Sequence, residues 1–338
     1  MPSPPARASP WRFHLKSFLS RSLALGFALS AALAATAAAE TFPDRPVRLI
    51  VPFGPGGGTD LLARVVAERA GQALGQNVVV ENRAGGGGTV GIIALAQARP
   101  DGYTLAICPP ICATAPSLYK PAPFDPAKAL APVISVADLP LVLVVPKSLG
   151  VTEVQGLLGK ARAAKGGLSY ASPGAGSSNH LAAEIFRHYS GVEMVNVPYR
   201  SGAAALTDVI AGRVDFYFDT VASALSQVRS GEVVALGVTG TARAPQLPEV
   251  PTMGEAGVPG FEYSARARLV APAGTPAPVM ERLNAAFQEA LSDPALQRRI
   301  IEIGAEAVGG TSAAATGELR DEAARLGRLI RESGITAE

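Results

Sequence analysis

The sequence predicts an α/β protein of two doubly wound domains with a ligand cleft between them. Three observations predict it. Short, continuous apolar runs alternate with helix-like amphipathic runs over most of the chain. Such a run ends twice in a loop of glycine and other small residues that opens a helix, once in each half. Two segments, residues 131–146 and 263–276, read as places where the chain crosses from one domain to the other.

The strand-like runs are residues 47–53, 77–82, 104–108, 142–146, 168–172, 195–199, 214–218, 233–239 and 268–271. They are rich in Val, Ile and Leu and suit parallel strands buried on both faces. Helices are expected over residues 59–74, 179–189, 203–211 and 220–230 between them. The C-terminal region changes character, with amphipathic helices over residues 277–291, 294–303 and 312–333. Two crossings make the first domain discontinuous, residues 40–137 plus 266–338, and leave residues 138–265 as the second.

Residues 1–39 differ from the rest. Arg7, Arg12, Lys16 and Arg21 stand there without a single acid, followed by an apolar run at residues 23–33 and then Ala35-Thr36-Ala37-Ala38-Ala39. This is the pattern of a secretory signal peptide, with cleavage expected after Ala39 and a periplasmic product. The run is too short and too alanine-rich for a membrane anchor. Four of the 30 basic residues and none of the 28 acidic ones lie in this segment, so the remainder carries 26 against 28, a formal charge of −2. No basic patch remains, which argues against nucleic acid as a partner. The 48% hydrophobic and 17% charged composition excludes disorder and coiled coil. Removal of the segment takes Trp11 and His14 and leaves His180 and His188. The two cysteines, Cys108 and Cys112, flank Pro109-Pro110, and this awkward spacing favours two buried thiols over a disulfide. They are too few for a zinc site, and no cofactor or metal is expected.

The chemistry is expected in loops. The first, Phe53-Gly54-Pro55-Gly56-Gly57-Gly58-Thr59-Asp60, joins a strand to a helix and offers almost nothing but backbone N–H groups at the positive end of a helix dipole. That suits an anion. The Lys-Ser/Thr of a nucleotide-binding loop is missing, as is a Gly-x-Gly-x-x-Gly fingerprint, so a small carboxylate fits better. Thr59 can cap the helix; Asp60 reads either as a first-turn acid or as a ligand contact. The second, Ser172-Pro173-Gly174-Ala175-Gly176-Ser177-Ser178, repeats the arrangement with hydroxyls, and His180 follows at the helix start, more a structural hydrogen-bonder than a base. The four glycines Gly85–Gly88 permit close backbone approach to a ligand or to a neighbouring loop. Asp219 reads as a helix cap or as an acceptor for a ligand hydroxyl or amine. The nucleophile elbow Gly-x-Ser-x-Gly is absent, and no pair of carboxylates suggests glycoside hydrolysis.

Across residues 41–335 the chain resembles the Bug family of extracytoplasmic solute receptors, the binding proteins of tripartite tricarboxylate transporters. The resemblance is carried by Phe42-Pro43-Asp44-Arg45-Pro46, by the stretch from Val51 to Asp60, by residues 81–91 and by Pro100-Asp101-Gly102-Tyr103-Thr104-Leu105. It continues through residues 172–180, Val197-Pro198-Tyr199, Gly212-Arg213-Val214-Asp215, Leu247-Pro248-Glu249-Val250-Pro251-Thr252, Glu255-Ala256-Gly257 and residues 270–276. It implies a type II periplasmic-binding-protein fold whose two domains close on a small carboxylated solute, held by the loops at residues 53–60 and 172–178. It also implies a non-enzyme, a monomer, and delivery of the organic acid to membrane transporter subunits, with an orphan or sensory receptor as the alternative. An exported hydrolase using Ser177 with His180 is the remaining rival from the residues themselves. The chain departs from the family at Cys108-Pro109-Pro110-Ile111-Cys112, where a polar turn is usual, and at Arg266 and Arg268, where an aromatic residue and a glycine are usual. Arg266 and Arg268 are therefore expected either as surface charge or, one of them, as the partner of a second ligand carboxylate or of an aromatic acid.

Overall fold

The computed structural model describes residues 1–4 and 42–336, so the expected signal peptide falls almost wholly outside the described residues. The chain divides into Met1–Asp44 and a single compact unit, Arg45–Glu338. The first holds no helix or strand among its described residues.

In the second, β1 (Val47–Val51) turns into α1 (Gly58–Leu74), followed by β2 (Val78–Asn82), α2 (Thr89–Ala96), β3 (Thr104–Cys108), α3 (Ile111–Leu118) and the short α4 (Pro126–Ala129). The long β4 (Leu130–Pro146) leads to α5 (Val154–Ala163), β5 (Leu168–Ser172), α6 (Ser178–Ser190), β6 (Met194–Pro198), α7 (Gly202–Ile210), β7 (Phe216–Thr220), α8 (Val221–Ser230) and β8 (Val233–Val238). The chain returns through β9 (Ser264–Pro272) to α9 (Ala277–Ser292), α10 (Pro294–Glu302), β10 (Glu306–Gly309) and α11 (Ser312–Glu332).

The strand order is β2-β1-β3-β9-β4-β7-β5-β6, with β8 and β10 also pairing on β4. The βαβ units are parallel, as the apolar runs predict: β1 with β2 and β3, and β5 with β6 and β7. The middle of the sheet corrects the all-parallel expectation, because β4 and β9 run antiparallel to each other and to every neighbour. Residues 130–140 of β4 pair with β9, whereas residues 141–146 pair with β7 and β8. One 17-residue strand thus serves both halves of the sheet. Prolines hide it in the sequence. Pro132 borders a register shift, and Pro140 lacks an N–H where the partner changes. At the next residue, Leu141, the N–H donates to the Thr239 hydroxyl at 3.0 Å and the carbonyl accepts the Thr239 N–H at 2.8 Å. The expected domain crossings at 137/138 and 265/266 fall within β4 and β9.

Beyond the crossing, β4 is buried on both faces. Leu141, Leu143 and Val145 join one core with Phe186, Phe216 and Phe218, while Val142 and Val144 join another with Val209, Tyr217 and Val221. Phe186 meets Phe216 and Phe218 edge-on, at 80° and 71°. In the first half α9 lies against α1, and α11 lies against α3 and β4.

The two unusual arginines of β9 face α11. Arg266 grips Asp138 of β4 with Nε and Nη2, at 2.6 and 2.8 Å, and Glu318 of α11 with Nη1, at 2.7 Å. Arg268 is 3% exposed and pairs with Glu322, 8% exposed. Burial pushes the Glu322 carboxyl upward, and Arg268 works against that shift.

A buried ion pair costs most when only half of it is removed, since one uncompensated charge then stays inside. Glu322→Ala is therefore expected to lose about 3–5 kcal/mol of unfolding free energy, and Arg268→Met with Glu322→Leu to recover most of it. Urea unfolding of the two variants checks this; a loss below about 1 kcal/mol for the single variant contradicts it.

Candidate functional site

The first loop is held by Asp60. Its Oδ2 accepts the Gly56 N–H and Arg64 Nε, both at 3.0 Å, and its Oδ1 accepts Arg64 Nη2 at 3.0 Å and Asn82 Nδ2 at 2.8 Å. Asn82 also donates to the Phe53 carbonyl at 3.0 Å. Burial tends to raise the Asp60 pKa, but the hydrogen bonds from Arg64, the Gly56 N–H and Asn82 outweigh it and hold the carboxyl below its ordinary range. Gly56 takes φ +85°, which lets its N–H turn back onto the helix. The expected cap is corrected: α1 begins at Gly58 with Gly57 as N-cap and no side-chain cap, so Thr59 lies inside the first turn. The Gly58 and Thr59 N–H groups consequently have no intrahelical acceptor.

The second loop is wired inward. The Ser177 hydroxyl caps α6 by accepting the His180 N–H at 3.3 Å, and His180 Nδ1 accepts the Gly176 N–H at 3.3 Å. Ser172 Oγ donates to Asn196 Oδ1 at 2.8 Å and accepts the Gly174 N–H at 3.2 Å. All three side chains are buried, and burial lowers the His180 pKa, which keeps the ring neutral. Ser177 and His180 therefore meet through a backbone N–H, not as a nucleophile with its base.

The two loops close one small cavity of about 30 Å³. Of the expected site residues, Phe53, Gly57, Gly58, Thr59, Asp60, Ser178, Asp219 and Arg266 line it. Gly56, Ser172, Gly174, Ala175, Gly176, Ser177 and His180 do not; they shape the walls from behind. Four helices point their N-termini at this cavity: α1 through Gly58, α6 through Ser178 and Asn179, α7 through Gly202, and α8 through its N-cap Thr220. Gly202 of α7 and Thr220 of α8 line the cavity as well, two positions beyond those singled out in the sequence. Their signal was present, since Ser201-Gly202 and Asp219-Thr220 repeat the strand, small-residue turn and helix start of the two recognised loops. Pro109, Pro110, Leu139, Ala265 and Ala267 complete an apolar wall. Behind it the cysteines correct the thiol expectation: Cys108 and Cys112 are joined as a disulfide, with Cα atoms 6.1 Å apart.

Asp219 occupies the end of β7, one residue before the cap of α8. Its Oδ1 accepts the Thr220 N–H at 2.8 Å, whereas Oδ2 is buried without a hydrogen-bond partner. Burial pushes its pKa up to about 7, against the Ser223 hydroxyl, the Thr220 N–H and the Tyr217 hydroxyl, which favour the ionised form. Arg266 reaches the cavity wall, but its guanidinium meets Asp138 and Glu318; the expected ligand carboxylate competes with two protein carboxylates already there.

The halves of the sheet interlock around the cavity. A Cβ at Gly58 would collide with the Thr220 hydroxyl, and one at Gly87 (φ +61°) would collide with the Ala175 carbonyl. Tyr119 donates to that same carbonyl at 3.1 Å and lies 3.4 Å from the Gly86 carbonyl.

The model of the tripartite tricarboxylate transporter family receptor matches residues 62–335. The periplasmic binding protein BugD superposes with a TM-score of 0.84 at 34% identity, over 87% of this chain and 99% of that one. A Rhodopseudomonas palustris protein with adipate gives 0.82 at 37% identity, over 87% and 99%. MatC of the same organism, with bound malate, gives 0.82 at 30% identity, over 86% and 100%. The chain therefore belongs to the tripartite tricarboxylate transporter receptor family and has the α/β periplasmic-binding-protein fold of its Bug relatives.

Proposed function

We propose that this receptor is exported through residues 1–39, captures a small organic carboxylate between two closing lobes, and delivers it to membrane transporter subunits. The observation that carries the reading is the convergence of four helix N-termini on one cavity in which, among the described residues, no cationic side chain is free. Backbone N–H groups and helix dipoles supply the positive potential instead, which suits a carboxylate. Bound adipate and malate in the two R. palustris relatives support the same chemistry.

The lobes are residues 40–137 with 266–338, and residues 138–265. A cavity of about 30 Å³ holds one water molecule and no organic acid. Entry of a solute therefore needs the lobes to part, with β4 and β9 as the two strands that bend. Closure brings Gly58 onto Thr220 and Gly87 onto Ala175, and Tyr119 fastens the rim. No step of this cycle makes or breaks a covalent bond, and no cofactor takes part.

Isothermal titration with adipate, malate and succinate is expected to find at least one ligand. Gly58→Ala is expected to weaken that ligand at least tenfold, because its Cβ blocks closure, and Tyr119→Phe by about fivefold, the value of one hydrogen bond near 1 kcal/mol. Unchanged affinity in Gly58→Ala means that the lobes do not close as proposed.

Asp219 makes stability depend on pH. Its folded-state pKa is raised to about 7, so the fold favours the protonated form. That contribution is complete below the unfolded carboxyl pKa and is lost as pH rises through 7. Between pH 5 and 8 the wild type is expected to lose about 2 kcal/mol more than Asp219→Asn. Urea midpoints across that range check it; parallel profiles for the two proteins contradict it.

A further inference from the structure

Asp219 leaves one hydrogen-bonding place in the cavity that the receptor itself does not fill. The residue is 2% exposed and its Oδ2 has no partner. The hydroxyls of Tyr217 and Ser223 stand near the carboxylate, yet neither closes a hydrogen bond of ordinary geometry on Oδ2. Among the described residues lining the cavity, the one cationic side chain is Arg266, engaged by Asp138 and Glu318. Arg64 behind the wall is engaged by Asp60. Among the described residues lining the cavity, no cationic side chain is therefore free to pair with Oδ2.

The same small space presents the four helix N-termini, so a bound carboxylate and Oδ2 become close neighbours. Two carboxylates that close repel, and one of them must take up a proton or a donor must stand between them. An acceptor buried with no partner has a cost that a ligand donor removes.

We propose that the solute carries a hydrogen-bond donor, a hydroxyl or an ammonium, on the carbon beside its carboxylate, and that Asp219 Oδ2 receives it. This rests on the reading of the cavity as a carboxylate site. Asp219 and the helix N-termini that hold the carboxylate line the same small space, so the donor lies on the carbon next to the carboxylate. The class is 2-hydroxy or 2-amino carboxylic acids, and bare fatty or dicarboxylic acids are discriminated against. The remaining wall, with Phe53, Pro110, Leu139 and Ala265, leaves the rest of the solute in apolar surroundings.

The charged and titratable groups around Asp219 allow a clean readout. Asp60 on α1 is held low and its partner Arg64 high by their hydrogen bonds. On β9, Arg266 is held high, its acidic partners Asp138 of β4 and Glu318 of α11 outweighing burial. Burial holds Tyr217 of β7 high and His180 of α6 low. Burial pushes Asp219 up to about 7, inside the range from pH 6 to 8.

The test is isothermal titration at pH 8, where Asp219 is mostly ionised, with two matched trios: L-malate, L-aspartate and succinate, and L-lactate, L-alanine and propionate. At least one donor-bearing acid is expected to bind tenfold or more tightly than the bare acid of its trio. An ammonium donor is identified by affinity that rises from pH 6 to 8, and a hydroxyl by affinity nearly flat over that range. In Asp219→Ala the preference is expected to fall below threefold; Asp219→Asn, of unchanged size, guards against a folding defect and retains preference only for a hydroxyl. A bare acid that binds the wild type as tightly as its donor-bearing partner overturns the proposal, as does a tenfold preference that survives in Asp219→Ala. Binding of adipate with none of the six also overturns it, while the carboxylate reading stands. If no organic acid binds at all, the carboxylate reading itself fails, and the proposal with it.

Discussion

The cavity depends on one carboxylate in its own wall, that of Asp60, both of whose oxygens are taken by donors of the protein. Asp60 gathers the Gly56 N–H, two nitrogens of Arg64 and the Asn82 amide, and Asn82 in turn holds the Phe53 carbonyl. The loop from Phe53 to Gly57 is thereby folded back on its own helix, and the first-turn N–H groups are turned toward the cavity with no cap of their own. With Gly57 as the N-cap, the missing side-chain cap costs only on the order of a few tenths of a kcal/mol. The second loop solves the same problem differently: Ser177 caps α6, and the free positions move to Ser178 and Asn179.

This division explains what could be read in the sequence. Glycine and serine turns between an apolar run and an amphipathic one mark a strand, a loop and a helix start by local chemistry, and the helix at Gly58–Leu74 and the strands Thr104–Cys108 and Leu168–Ser172 fall where that grammar puts them. Which side chains face inward is not local. Ser172, Ser177 and His180 carry suitable polar atoms, but the bonds that absorb them come from Asn196 and from the turn itself. Long-range pairing hid more. β4 reads as a five-residue run because its prolines look like breaks, and its 17-residue extent emerges only when β9, β7 and β8 are present to pair with it.

Arg266 and Arg268 show the same limit from the side of charge. Two arginines in place of an aromatic and a glycine suggest a ligand with a second carboxylate. Their alternation on β9 puts both on the face covered by α11, and that helix brings Glu318 and Glu322 to meet them. With Asp138 on β4, these pairs bind together β4, β9 and α11 at the place where the two halves of the sheet join. The charges thus bear on how the crossing strands are held against α11.

Selection then falls to a small number of atoms. Backbone N–H groups attract any carboxylate, and the apolar wall of prolines and alanines attracts little of its own accord. The disulfide between Cys108 and Cys112 spans Pro109 and Pro110, so that wall has few ways to adapt to a solute. The close contacts of Gly58 with Thr220 and of Gly87 with Ala175 allow the halves to meet without a side chain between them, which makes the closed cavity small and its limits sharp. In a space so restricted, an unpaired acceptor outweighs additional area, since leaving Oδ2 of Asp219 unmet costs more than burying another methylene returns. A receptor that attracts carboxylates by its backbone can in this way discriminate among them by a single side-chain oxygen.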